Sequence, residues 1–165
     1  MTPEEDTNIP LPEEQDLPKL AGEGIHAGFP SPAQDYMEGC IDLNRELVKH
    51  PTSTFYGRVV GQSMIDAGVD DGDILVIDKS IEPSEGDMAV CFVDGEFTLK
   101  YISFTPPAQG GVREAAKPKA SYNILHTKDL WLLPANPAYR PIHITEGNDF
   151  TVWGIVTYVI KKVRP

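Results

Sequence analysis

Asp94-Gly95, set between the runs 87–93 and 96–103, constrains the fold of this chain more than any other pair of residues. Aspartate followed by glycine accepts the positive φ angles of a tight hairpin turn, whose twist matches the strands it joins. A two-residue turn makes Val93 face Glu96, Cys91 face Thr98 and Ala89 face Lys100. Strand side chains alternate between faces, so Lys100 shares its face with Ala89, Cys91 and Ile102. That is small, largely apolar ground for an ammonium group.

The rest of the chain is punctuated in the same manner. Fifteen prolines and fourteen glycines in 165 residues favour short strands and turns over long helices. Strands are predicted at 54–60, 73–78, 87–93, 96–103, 129–133 and 150–163, which makes the fold mainly β. One or two short helices are expected before Pro51. Ser31-Pro32-Ala33-Gln34 has a serine cap and a first-turn proline, and Leu43, Leu47 and Val48 fall at helical spacing. Residues 104–123 read as a flexible surface loop. Residues 1–30 hold Glu4, Glu5, Asp6, Glu13, Glu14 and Asp16 among prolines, without apolar periodicity, and are expected to form an extended, mobile arm. Inside that arm Ile25-His26-Ala27-Gly28-Phe29-Pro30 is an island of apolar and small residues suited to docking. The expected organisation is an arm over 1–30 and a β-rich domain over 31–165.

Several function classes drop out. A net charge of −11 leaves no basic footprint for nucleic acid, and no tri-helical DNA-binding head fits before residue 54. Direct DNA binding is not expected; work near DNA would need another protein as intermediary. Cys40 and Cys91 form no CxxC pair and the four histidines lack metal-ligand spacing, so neither a metal nor a cofactor is expected. Asp70-Asp71-Gly72-Asp73 lacks the spaced ligands of a calcium loop and reads as a turn. The acidic N-terminus is unlike a signal peptide, and the apolar run 154–160 is far short of the ~20 residues a membrane helix requires. A reduced, cytoplasmic setting without membrane contact is the expectation.

Two residues carry possible chemistry. Ser63 lies in the glycine-bearing turn Gly61-Gln62-Ser63-Met64, and a serine hydroxyl needs a base. Lys100 can be that base only when neutral, so its pKa must fall from about 10.4, at about 1.36 kcal/mol per unit. The apolar face deduced for Lys100 would supply the burial. Ser63 could offer its own backbone N–H and a neighbour's to a developing oxyanion. No catalytic His/Asp pair is evident in competition. On these residues alone the pair is no more than suggestive, because serines after glycine are common and strand lysines commonly face water. Trp131 and Trp153 read as core or interface anchors, Cys91 as a small strand residue, and His26 as a cleft contact.

The segments Gly28-Phe29-Pro30-Ser31-Pro32-Ala33, Ile41-Asp42-Leu43-Asn44, Gly61-Gln62-Ser63-Met64-Ile65-Asp66 and Asp71-Gly72-Asp73-Ile74-Leu75 form an ordered series. Gly86-Asp87, Asp94-Gly95-Glu96-Phe97-Thr98-Leu99-Lys100, Leu133-Pro134-Ala135-Asn136-Pro137-Ala138-Tyr139 and Val152-Trp153-Gly154-Ile155-Val156 continue it. Together they resemble the LexA/UmuD family of self-cleaving serine peptidases, most closely its UmuD branch, over most of the chain after residue 27. The 104–123 loop is longer than that branch suggests, and the acidic arm is unlike the family's better-known arms.

The resemblance implies a LexA-like, signal-peptidase-like β-rich catalytic domain with Ser63 as nucleophile, Lys100 as general base and acid, and Ala27–Gly28 as the scissile bond. It further implies self-cleavage stimulated by a RecA–single-stranded DNA filament. The shortened chain would form a homodimer and assist an error-prone Y-family translesion polymerase. The competing readings are a LexA-like repressor, which needs a DNA-binding head; a leader peptidase, which needs a membrane anchor; and a polymerase-binding module that no longer cleaves.

Overall fold

The computed structural model describes residues 19–21, 37–107 and 129–164. The chain divides into two compact units, residues 1–46 and 47–165. In the first, β1 (Lys19–Ala21) pairs antiparallel with β2 (Met37–Cys40), so a strand lies inside the stretch expected to be an extended arm. α1 (Leu43–Leu47) follows. Its start is set by the Asp42 carboxylate, which accepts hydrogen bonds from the Asn44 and Arg45 N–H groups at 3.0 and 3.4 Å. The helical spacing over 41–50 thus yields five residues of helix, and the helix start expected at Ser31 lies outside the described residues.

The second unit is built on one antiparallel sheet. Its strands are β3 (Thr54–Arg58), β4 (Ile74–Asp78), β5 (Met88–Val93), β6 (Glu96–Ser103), β7 (Leu130–Leu133), β8 (Ile142–Ile144) and β9 (Phe150–Ile160). They run in the order β3-β4-β9-β5-β6-β7-β8. All six strands expected from the sequence are present; β8 is additional, and β9 stops at Ile160. The only other regular element described in this unit is a short 3-10 turn, Ile65–Ala67. Of the 104–123 loop, only the residues up to Pro107 are described.

The hairpin adopts the deduced register, with Ala89 opposite Lys100 and Cys91 opposite Thr98. Asp94 and Gly95 have φ of 48° and 94°, as a two-residue turn of this hand requires. The Asp94 carboxylate also accepts from Asn148 Nδ2 at 2.7 Å and the Asp149 N–H at 2.9 Å, tying the turn to the entry of β9.

Alternation along the strands divides the apolar residues into two clusters. Met64, Val69, Leu75, Ile77 and Val90 gather in one; Ala89, Cys91, Ile102, Leu132 and Ile155 gather in the other. Leu132 is fully buried, and truncating it to alanine should cost about 2–5 kcal/mol. β9 serves both neighbours by slipping register twice, with Thr157 and Trp153 as the extra residues against β4 and β5. Close packing fixes Gly154 beside the second slip. A Cβ there would stand 2.5 Å from Ile77 Cγ2 and 3.3 Å from the Asp78 carbonyl oxygen.

Candidate active site

Beyond β3 the chain enters the loop that carries Ser63, and the 70–73 turn holds that loop from one side. The Val59 N–H donates to the Asp73 carbonyl and the Gly72 N–H to the Val59 carbonyl, each at 2.9 Å. Gly61 takes φ +98°, which favours glycine, and gives its N–H to Asp71 Oδ1 at 2.7 Å. Asp73 is buried; its carboxylate accepts from Lys161 Nζ and from the Asp70 N–H, both at 2.8 Å. The Lys161 hydrogen bond, followed by that from Asp70, holds the Asp73 carboxyl below the usual range. Lys161 also pairs with Asp70. The acidic turn is therefore a clasp between the C-terminal segment and the serine loop.

On its other side the loop meets residues 135 and 136. The Ser63 carbonyl accepts from the Ala135 and Asn136 N–H groups at 2.9 and 3.0 Å. Met64, next in the chain, is almost completely buried and anchors the loop in the first apolar cluster.

This brings Ser63 to Lys100. Lys100 Nζ lies 2.9 Å from Ser63 Oγ, 2.9 Å from Thr98 Oγ1 and 3.0 Å from the Leu99 carbonyl oxygen. The lysine is only 6% exposed, and all three neighbours are uncharged. Burial lowers its pKa, and the one charge influence that opposes this is the Cys91 thiol. Burial in turn pushes that thiol up to about 12, which leaves it inert at neutral pH. A neutral amine has two N–H donors and one lone pair. In that form Lys100 donates to Thr98 Oγ1 and the Leu99 carbonyl and turns its lone pair toward the Ser63 hydroxyl. The arrangement suits an uncharged base beside an alcohol.

The Peptidase S24-like family matches residues 19–112, more than half of the chain. The chain belongs to that family. Among its relatives, Protein SamA of Salmonella typhimurium is 35% identical over 150 residues, 91% of this chain and 89% of SamA. Protein MucA of Escherichia coli is 34% identical over 135 residues, 81% of this chain and 77% of MucA. LexA repressor 2 of Nocardia farcinica is 36% identical over 159 residues, 96% of this chain but 54% of the repressor. Membership in the S24 peptidases carries a general assignment, that of a serine peptidase.

In this S24 chain the Ser63–Lys100 pair opens onto a cleft of about 580 Å³ walled by Tyr56, Val60, Phe97, Tyr139 and Trp153. Trp153 lies 5.3 Å from Phe55 and 5.7 Å from Phe97 between ring centroids, with Lys79 Nζ 5.0 Å above it. Trp153 is thus part of the cleft wall, consistent with an anchor. Phe97 and Val60 stay 63% and 90% exposed, apolar surface suited to an extended peptide. Ala27, Gly28 and His26 lie outside the described residues.

Sequence reading overlooked three features. Thr98 orients Lys100, and its position two residues away on the same strand face was a usable signal. Asn136 contacts the serine loop across 74 residues of chain; the 133–139 motif segment contains it but gives it no role. A His/Asp pair does exist: His50 Nδ1 is 2.6 Å from Asp78 Oδ2. Ser80 Oγ approaches the same ring nitrogen at 3.1 Å, whereas a relay needs the serine on the opposite nitrogen. Among the described residues no His/Cys/Asp/Glu group could hold a metal ion, and no helix is long and apolar enough to cross a membrane.

Proposed function

We propose that this S24 peptidase cleaves itself between Ala27 and Gly28, with Ser63 as nucleophile and Lys100 as general base and acid. The observation that carries the reading is the 2.9 Å approach of a buried lysine amine to a serine hydroxyl, with no carboxylate paired to the amine among the described residues. Ser63 Oγ bonds to the Ala27 carbonyl carbon as its proton passes to Lys100 Nζ. The C–N bond to Gly28 then breaks, and the same proton goes to the departing amine. Water, deprotonated by Lys100, hydrolyses the remaining ester and regenerates Ser63. Small Ala27 and flexible Gly28 suit a cleft that must admit backbone. The ~35 residues between bond and nucleophile can span a domain, so reach is no obstacle.

The resemblance to the UmuD branch supports the wider setting, which belongs to the same proposal. A RecA–single-stranded DNA filament stimulates the cut in the cytoplasm, and residues 28–165 dimerise and assist a Y-family translesion polymerase in SOS mutagenesis. The net charge of −11 agrees with recruitment through protein contacts. The similarity to a protein named as a LexA repressor supports a second reading, in which the cut ends repression. Sequence-specific binding of duplex DNA by the intact chain would favour it.

The test is incubation of the purified chain with RecA, ATP and single-stranded DNA, followed by intact mass measurement. One cut is expected, between Ala27 and Gly28. Cutting that persists in Ser63→Ala would assign the nucleophile elsewhere.

A further inference from the structure

Hydrolysis of a peptide by Ser63 needs more than a base. Negative charge develops on the carbonyl oxygen under attack, and fixed N–H donors must already face the place where it appears. The Asn136 side chain bears on that requirement. Its Nδ2 donates to the Gln62 carbonyl at 2.9 Å, its own N–H donates to the Ser63 carbonyl at 3.0 Å, and its Oδ1 accepts from the Ala138 N–H at 2.9 Å. The Ala135 N–H adds a second bond to the Ser63 carbonyl at 2.9 Å. Both carbonyls flanking the nucleophile are thereby drawn to the 135–136 segment, and the Gln62 carbonyl also accepts from the Ile65 N–H at 3.3 Å.

In a trans peptide the C=O and the following N–H lie in one plane and point in opposite directions, and among the described residues no cis peptide is present. Holding the Gln62 carbonyl therefore fixes the Ser63 N–H away from Asn136. Holding the Ser63 carbonyl does the same for the Met64 N–H. Neither N–H donates to a carbonyl among the described residues. We infer that Asn136 is a positioning residue for the hydrolysis, one that aims the Ser63 N–H at the forming oxyanion by gripping the Gln62 carbonyl. The inference rests on the reading of Ser63 as nucleophile. It separates two tasks around one serine: Lys100 governs the proton and Asn136 the oxygen.

Two substitutions in the full chain test it. Asn136→Ala removes both side-chain bonds. Asn136→Asp keeps the acceptor for Ala138 but loses the donor to Gln62, so a role confined to holding the 136–138 turn would be rescued by aspartate. Self-cleavage is followed from about pH 7 to about pH 11, across the titration range of a lysine. Thermal unfolding of each variant is measured alongside. Both variants should stay folded and should reach a plateau rate about 10- to 100-fold below wild type, the scale on which misaimed oxyanion donors act. The pH midpoint of Asn136→Ala should match wild type, because Lys100 is untouched. A wild-type plateau in Asn136→Asp would overturn the inference. So would an Asn136→Ala deficit accounted for by unfolded protein, or one expressed as a shifted midpoint. A wild-type chain that never cleaves would remove the reading of Ser63 and this role with it, whereas a cleaving wild type with an unaffected Asn136→Asp sinks this role alone.

Discussion

Lys100 and Asp78 both lie buried in the sheet domain, and their surroundings drive them to opposite ends. Lys100 is enclosed by a threonine hydroxyl, a serine hydroxyl and a backbone carbonyl, so burial disfavours its charged form and outweighs the opposing influence of Cys91. Asp78 is equally buried but well served. His50 approaches one oxygen at 2.6 Å; the other accepts from Ser80 Oγ at 2.6 Å, the Ser80 N–H at 2.8 Å and Ser53 Oγ at 3.3 Å. Burial would raise the Asp78 carboxyl, but the Ser80 and His50 hydrogen bonds outweigh it and bring it to about 2. An ionisable group given countercharge and donors becomes a fixed strut; one given only neutral partners stays ready to exchange a proton. Residue types alone would have pointed the wrong way, because serine, histidine and aspartate all belong to the inert cluster.

The sharpest way to break this contrast is substitution in both clusters under the same cleavage assay. Ser63→Ala and Lys100→Ala should each lower the rate by more than about 10³-fold, as expected when a nucleophile or its base is lost. His50→Ala should leave the rate of the folded protein within about threefold, because nothing in the His50 geometry serves a relay. A reversal of that order would exchange the roles of the two clusters.

The next largest effect is in pH. Only neutral Lys100 can accept the serine proton, so the rate should rise about tenfold per unit and level off below the ordinary lysine value of about 10.4. The linked stability has the same sign. Between the lowered folded pKa and about 10.4 the unfolded chain holds the extra proton, so stability is gained as pH rises through that window. Parallel denaturation curves of wild type and Lys100→Met across the window would check it.

Thr98→Val sharpens the contrast further. It removes an acceptor that favours the ammonium form and also orients the amine. The midpoint should move to lower pH while the plateau falls about three- to tenfold.

The smallest effect is expected at Asp78. Asp78→Asn should cost about 1–3 kcal/mol through its charge-assisted bonds, with cleavage by the folded fraction preserved. In wild type this contribution is present above about pH 4 and is lost as pH falls toward 2, because the folded pKa is depressed. Acid unfolding should therefore be less steep in Asp78→Asn.

Legibility of the molecule in its sequence followed the range of the interactions. Asp94-Gly95 is a local signal with one favoured geometry, so the β5–β6 register and the face of Lys100 could be deduced from it. Ser63 and Lys100 were legible as a pair only once the wider motif series was seen, since their meeting is a tertiary event. β8 has three residues and no alternation long enough to detect. The slips at Trp153 and Thr157 answer to two neighbouring strands at once, which no window of sequence contains. Met37–Cys40 became a strand because it found a partner in Lys19–Ala21, overriding the helical context downstream. The His50–Asp78 contact crosses 28 residues and carries no motif, so it escaped notice.

The central claim concerns one amine, and its titration can be read directly. In Ser63→Ala protein, which the proposal expects to stay intact, the ¹³Cε resonance of Lys100 can be followed with pH and assigned by comparison with Lys100→Arg. The account predicts a midpoint clearly below about 10.4, apart from the other lysines. A midpoint at or above that value would show an amine still charged where it must be neutral, and would contradict the account.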